Sequence, residues 1–359
     1  MNRAWRVLDT GLRPAAQNIA LDRALLEARQ AGEIPSTLRF LRFAPCALLG
    51  SDQSAGQALN LDYCKANNIT VQRRITSGGA VYTDETQLDW ELYLHRTEAG
   101  GPDLPAIAKR ICHAAATAIS ALGVDARYRP RNDIEVGGRR IARGGGVFDG
   151  AALLYQGTLQ IDLDVAKTLS VLRHPAATLS DAAVASARTR MAGLNELLGR
   201  RADPGLIKRR MMEAFESEFE AEFHEGDLTL TEHARYRAAL AAVDTHDWIN
   251  LVKRPPSDAP ICEAAHRYSG GILRVSLIYD RPRRRLLQIW FDGDVAARPR
   301  RTIVDLEAAL YDTPLDRLEH NVRVFFAGRG ADPPSPAPDD FIAALRLAVG
   351  RPIVASSRA

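Results

Sequence analysis

Two strings of glycine and arginine, each set among strand-like runs, constrain this chain more than any other feature. The first is Arg73-Arg74-Ile75-Thr76-Ser77-Gly78-Gly79-Ala80-Val81-Tyr82. The second begins at Arg131-Asn132-Asp133-Ile134 and continues through Gly138-Arg139-Arg140-Ile141-Ala142-Arg143-Gly144-Gly145-Gly146 to Gln156-Gly157-Thr158-Leu159. Glycine has no Cβ, so its backbone N–H groups can approach an anion closely. Arginine offers forked donors that match phosphate oxygens. Taken alone, the first string is equally a tight hairpin flanked by surface arginines. The second is equally an Asn-Asp turn and a basic loop, with Gly144-Gly145-Gly146 serving flexibility. Together they describe a strand-edge site for a phosphate-bearing ligand, in which Asn132 and Asp133 orient the ligand or hold magnesium beside it.

The surrounding pattern mixes helices and strands without a regular βαβ alternation, so no parallel nucleotide-binding sheet is required. Leu21, Leu25 and Ala28 recur at helical spacing across Asn18–Ala31, with Asp22, Arg23, Glu27 and Arg29 off that stripe; Gly32 and Pro35 end the helix. Leu38-Arg39-Phe40-Leu41-Arg42-Phe43 alternates as a half-buried strand does. A second helix is predicted over Leu104–Leu122, with Leu104, Ile107, Ile111 and Ile119 on one face. Around Thr229–Trp248 the texture turns to a polar helix, and residues 253–260 carry three prolines that make a linker. Beyond it, Leu273–Tyr279 and Leu286–Phe291 form a hairpin through Asp280-Arg281-Pro282, with Arg281–Arg285 as its solvated tip. A helix over Thr302–Leu310, a Pro-rich loop at 332–338 and a last helix capped by Asp339 complete the chain.

A chain of 359 residues exceeds the usual span of one core, which predicts two domains. Its apolar and charged shares, 46% and 25%, are those of an ordinary globular protein. The net charge of +3 is too small to argue for nucleic acid. No apolar run reaches the roughly 20 residues of a membrane span, and no signal peptide opens the chain, so a cytoplasmic protein is expected. Cys46, Cys64, Cys112 and Cys262 are scattered without metal-ligand spacing. Neither a protein-held metal nor a disulfide framework is expected, and Cys46 and Cys112 read as small packed hydrophobes. P-loop, G-x-G-x-x-G and G-x-S-x-G strings are absent.

In this order and spacing, Asn18-x-x-x-Asp22, Leu38-Arg39-Phe40, the Arg73–Tyr82 string, Asn132-Asp133-Ile134, Gly138–Gly146 and Gly157-Thr158-Leu159 resemble lipoate–protein ligase A. So does Ser186-Ala187-Arg188-Thr189-Arg190 ahead of Leu194. Gly270-Gly271-Ile272-Leu273-Arg274 through Phe291-Asp292-Gly293-Asp294 resembles that family's accessory domain. The resemblance implies an α+β, class II synthetase-like biotin/lipoate ligase catalytic domain over residues 1–247 and a small α+β accessory domain over 248–359. It implies ATP-dependent activation of lipoate or octanoate to acyl-AMP, with ATP and Mg2+ as cofactors. The acyl group would pass to a lysine of a lipoyl-domain or lipoate-binding carrier protein (GcvH-like), with no nucleic-acid or membrane partner.

Carried over residue by residue, Arg74 contacts the nucleotide phosphate. Ser77, Gly78, Gly79, Ala80, Val81 and Tyr82 line the ATP site, joined by Asn132, Gln156 and Thr158. Asp133 sits beside the adenylate, and Arg140 falls where the family has its catalytic lysine. Ser77 replaces a glycine, Thr83 and Gln156 replace histidines, and Arg143 replaces a small residue. No lysine lies nearby in sequence; Lys109 and Lys167 are distant, and Arg139 or Arg143 is the alternative cation. Two further readings follow. One is an acyltransferase using a preactivated donor, whose relatives use a nucleophilic cysteine that neither string contains. The other is a non-catalytic carrier- or acyl-binding protein, suggested by Arg140.

Overall fold

The computed structural model describes residues 3–51, 53, 55–76, 78–130, 132–172, 181–251, 261–269, 271–293, 302–327 and 336–350. The chain divides into one unit of residues 1–172 and 191–253 and another of residues 173–190 and 254–359. This boundary falls later than the expected 247/248. The short helix His246–Ile249 stays with the first unit because the Trp248 indole donates to the Arg73 carbonyl (2.9 Å) and the Arg73 guanidinium donates to the Ile249 carbonyl (2.8 Å). All of the Pro-rich linker at 253–260, Ser77, Arg131, Gly270 and Asp294 lie outside the described residues.

The strands of the first unit are β1 (Arg3–Arg13), β2 (Thr37–Phe43), β3 (Cys46–Leu49), β4 (Thr70–Arg73), β5 (Val81–Thr83), β6 (Gln87–His95), β7 (Ala126–Arg129), β8 (Asp133–Val136), β9 (Arg139–Asp149), β10 (Ala152–Gln160) and β11 (Ala221–Glu225). Eight form one sheet in the order β11-β1-β2-β6-β10-β9-β8-β7, and β4-β3-β5 form a smaller one. Only the pairs of β1 with β11 and β2 are parallel in the large sheet, consistent with the absence of a βαβ rhythm.

Period-2 alternation decides what each face of the large sheet carries. In β6, Leu88, Trp90, Leu92 and Leu94 join Phe40, Tyr155, Ile111 and Phe215 in the largest apolar cluster, which includes the helices Leu104–Ser120 and Pro204–Phe219. The intervening Asp89, Glu91 and Tyr93 belong to the opposite face. There the helix Ala15–Gln30 contributes Leu25 and Leu26 to a cluster with Tyr93 and Leu154, and Ile19 to another with Leu41, Phe43 and Leu48. Both faces are therefore covered, and two expectations change. Strand β2 is not half-buried: Arg39 is 0% exposed, and so is Asp22, which had been set on the open side of its helix.

The Gly138–Gly146 string is not a loop either. The turn is confined to Gly137 and Gly138, with φ of +57° and +80°, and β9 runs unbroken from Arg139. A Cβ at Gly144 would lie 2.7 Å from the Tyr155 hydroxyl, and one at Gly146 would lie 2.8 Å from the same ring. Close packing, not flexibility, explains these glycines.

In the second unit, β12 (Ile261–Tyr268), β13 (Gly271–Asp280), β14 (Arg285–Gly293) and β15 (Thr313–Pro314) pair in sequence order, all antiparallel. Leu277, Phe291, Leu306, Val322 and Phe341 join this sheet to the helices Thr302–Ala309, Leu318–Ala327 and Pro338–Gly350 in a separate core. The hairpin tip at 281–284 is exposed, as its charges imply. Asp339 does not cap the last helix; it pairs with Arg323 at 2.7 Å, and Asp340 takes the Ala337 N–H instead. Among the described residues no helix is long and apolar enough to cross a membrane.

Candidate active site

A cleft of about 570 Å³ opens in the first unit, within the usual range for a small-molecule site. Of the residues proposed from the sequence, Arg74, Gly78, Gly79, Val81, Asn132, Gln156 and Thr158 line it. Ala80 and Tyr82 do not: both pack into the apolar cluster around Ala47 and Leu49, and the Tyr82 hydroxyl donates to Asp84 at 2.8 Å. Lys167, remote in sequence, stands over the Tyr82 ring at 5.1 Å rather than in the cleft.

The twin arginines divide their work. Arg73 is fully buried and its guanidinium donates to the carbonyls of Gly50 (2.8 Å) and Ser51 (3.0 Å), so it is structural. Arg74 begins the turn. Its Nε donates to the Thr76 hydroxyl (3.1 Å) and its Nη2 to the Gly79 carbonyl (2.9 Å), which fixes the guanidinium at the cleft wall. Gly78, at φ +105°, takes a conformation that side chains resist. A Cβ on Gly50 would collide with the Gly78 carbonyl.

Beneath the turn lies a charged network that the sequence reading did not assemble. Arg39 donates to Asp22 (2.7 Å), Glu91 (2.9 Å) and the Asn18 side chain (2.5 Å). The Tyr93 hydroxyl adds a bond to Glu91 (2.5 Å). Gln156 donates to Asp22 (3.1 Å) and Glu91 (2.8 Å) and accepts from Thr76 (2.9 Å), so it ties this network to the Arg74 turn. Burial and the neighbouring Glu91 hold the Asp22 carboxyl well above its usual range, against the pull of Arg39. Burial opposes the Arg39 charge, but Glu91, Tyr93 and Asp22 outweigh it and hold that group above its usual range.

Asp89 stands one alternation from Glu91 and is 7% exposed. Its Oδ1 accepts from the Thr158 hydroxyl (2.5 Å), while Oδ2 has no partner among the described residues. Burial pushes its pKa up to about 7, with Thr158 acting in the opposite direction.

Of the three candidate cations in the second string, the structure separates the roles. Arg139 pairs with Glu196 (2.5 Å). Arg140 stands 3.8 Å from Asp133 and donates to the Met191 sulfur (3.1 Å); neither residue is among the cleft lining. Arg143 lines the cleft, exposed to its solvent yet crowded by its walls. That desolvation and the repulsion of Arg140 and Arg74 pull its pKa down to about 10, with Asp133 opposing. Two guanidinium groups, Arg74 and Arg143, therefore bound one cavity, with Arg140 and Asp133 beside it.

All four cysteines are buried and none lines the cleft. Burial pushes the Cys112 thiol up to about 11 and also raises Cys46, Cys64 and Cys262. Among the described residues no group of three His, Cys, Asp or Glu side chains could hold a metal ion. Magnesium entering with a nucleotide needs less, one or two carboxylates. Asp133 fits that need, because Arg140 at 3.8 Å leaves its oxygens available.

An octanoyltransferase of Moorella thermoacetica is 27% identical over 268 residues, 68% of this chain and 97% of that protein. Among solved structures, the bi-partite lipoate protein ligase of Thermoplasma acidophilum superposes with a TM-score of 0.65 at 24% identity, over 71% of this chain and 99% of its own. A lipoate–protein ligase A bound with ATP gives 0.60 at 23%, over 69% and 98%. These structures share the α+β fold of the biotin/lipoate ligases. The family profile described as "Lipoyl protein ligase A/B catalytic domain" matches residues 14–216, which include the whole cleft lining, and the chain belongs to that family.

Proposed function

We propose that this chain activates a medium-length carboxylic acid with ATP and passes the acyl group to a lysine of a lipoyl-type carrier protein. The observation that carries this reading is a cleft bounded by Arg74 and Arg143 and lacking a thiol. In the first step a carboxylate oxygen of the acid attacks the α-phosphorus and pyrophosphate leaves. In the second, the carrier amine attacks the acyl carbonyl and AMP leaves. Both steps pass through concentrated negative charge, which fixed guanidinium groups stabilise without reorganising. Arg74, held by its own turn, would grip the phosphate. Arg143 would meet it across the cleft, and Arg140, where the resemblance implies a lysine, would add its charge from beside Asp133. Asp133 would hold magnesium, which screens phosphate charge when bound.

A transferase that stores the acyl group as a thioester requires an accessible thiolate. The relative from Moorella thermoacetica makes transfer from a preactivated donor the second reading. Mass spectrometry of a lipoyl-domain carrier decides between them. Incubation with ATP, magnesium and lipoate or octanoate is expected to acylate the carrier, and an octanoyl-carrier donor without ATP is not. The opposite result overturns the proposal. Arg143→Ala and Arg140→Ala are each expected to slow acylation on the order of a hundredfold, the usual loss of one stabilising donor, while Arg140→Lys keeps or raises the rate. An Arg140→Ala rate equal to the parent's removes Arg140 from the site.

A further inference from the structure

We propose that Asp89 and Thr158 form a specificity site for the acyl substrate, which carries a hydrogen-bond donor, a hydroxyl or an ammonium, at the end far from its carboxylate. This rests on the cleft being the acid-activating site proposed above. Leu41, Asp89, Thr158 and Arg143 are direct cross-strand neighbours on β2, β6, β10 and β9. Adjacent strands lie about 4.8 Å apart, which sets the backbones of Asp89 and Arg143 about 10 Å apart, the reach of a medium-length acid. Arg143 marks the end that takes negative charge. The Asp89 end borders the cluster of Leu41, Ile19, Phe43 and Leu48, and the last three of these line the same cleft, a wall suited to methylene groups.

A purely apolar wall would suit a plain alkyl tail, but this one ends on a carboxyl. Of the three buried acids here, Asp22 and Glu91 have both oxygens engaged, by Arg39, Gln156 and Tyr93. Asp89 alone among them keeps an oxygen without a partner, in a residue 7% exposed. An alkyl tail seated there would leave that oxygen unsatisfied, whereas a terminal hydroxyl or ammonium would satisfy it. Sites built around a buried polar group reject analogues lacking its partner far more strongly than apolar pockets distinguish a methylene.

Calorimetry on the intact chain with octanoate, 8-hydroxyoctanoate and 8-aminooctanoate tests this without ATP or carrier. The preference and the proposed reaction can therefore fail separately. The parent is expected to bind at least one ω-substituted acid about tenfold or more tighter than octanoate. Asp89→Leu is expected to abolish that preference. Asp89→Asn, the isosteric variant that guards against a folding defect in the first, keeps an acceptor for the hydroxyl but loses any preference for the ammonium. Equal affinity of the parent for all three acids overturns the proposal, as does a preference that survives Asp89→Leu in a folded protein. ATP and 3′-deoxy-ATP are titrated alongside. If Asp89→Leu weakens ATP alone and leaves the acid preference unchanged, the donor is a ribose hydroxyl and the acyl assignment is wrong.

Discussion

Asp89 also tests the electrostatics of the buried floor through stability. Its pKa in the folded protein is about 7, raised by burial and by Glu91 and Asp84, with Thr158 and Arg39 opposing. In the unfolded chain it titrates near 3.9. The folded state thus holds this proton more tightly. Its contribution to stability is complete below about pH 4 and is lost as the pH rises through about 7, at up to roughly 1.4 kcal/mol per unit between. Asp89→Asn cannot ionise there. Urea midpoints at pH 5 and pH 8 are expected to show the variant gaining on the parent at the higher pH. A parent–variant difference that does not move with pH shows that Asp89 does not titrate in that range. This comparison separates Asp89 from Asp22, which is shared by both proteins. None of this was legible in the sequence. Asp89, Glu91 and Arg39 alternate with apolar neighbours, and that alternation looks the same whether the charged face meets water or a covering helix. Arg74, Gly78, Gly79, Asn132 and Thr158 were legible as a group because glycine and arginine placed in strand turns are a local signal.

At the level of elements, the glycines of β9 and β10 divide by the strand's own period. Gly144 and Gly146 lie close to Tyr155, and a Cβ on Gly157 would run into the Trp90 indole. All four line the cleft, but Gly145, between Gly144 and Gly146 in period, has nothing within 4 Å of a Cβ. Two substitutions of the same kind should therefore behave oppositely. Gly157→Ala overpacks the core and is expected to cost about 1–3 kcal/mol in thermal or urea unfolding. Gly145→Leu is expected to leave stability within about 1 kcal/mol while obstructing ligand binding. Should Gly145→Leu bind acid and nucleotide as the parent does, the cleft is not the ligand site. Read as a string, Gly144-Gly145-Gly146 suggested a loop. Only the pairing of β9 with β10 shows which of these cleft glycines a neighbouring side chain crowds, Gly144 and Gly146 against Tyr155, and which is free of one, Gly145.

For the whole molecule, length pointed to two domains and the prolines at 255, 256 and 260 to the approximate boundary. Chain order could not show that residues 173–190 group with the second unit, since the link is spatial: Arg190 meets Glu307 at 3.2 Å, and the two are far apart in sequence. Strand β12, directly after the prolines, was missed because Ile261–Tyr268 mixes alanine and charge without a clear period. The division still has a consequence for binding. Every cleft-lining residue lies between Ile19 and Thr158, and among the described residues the buried core of the second unit runs from Cys262 to Ala348. A chain ending at Lys253 is therefore expected to unfold cooperatively and to bind ATP and the acid within about threefold of the full chain, a difference below 1 kcal/mol. Arg190 would lose its partner Glu307, so carrier acylation is the property free to fall. Calorimetry and urea unfolding on the shortened chain check this. If it folds but binds neither ligand, the second unit takes part in ligand binding, and the cleft of the first unit is not sufficient for it.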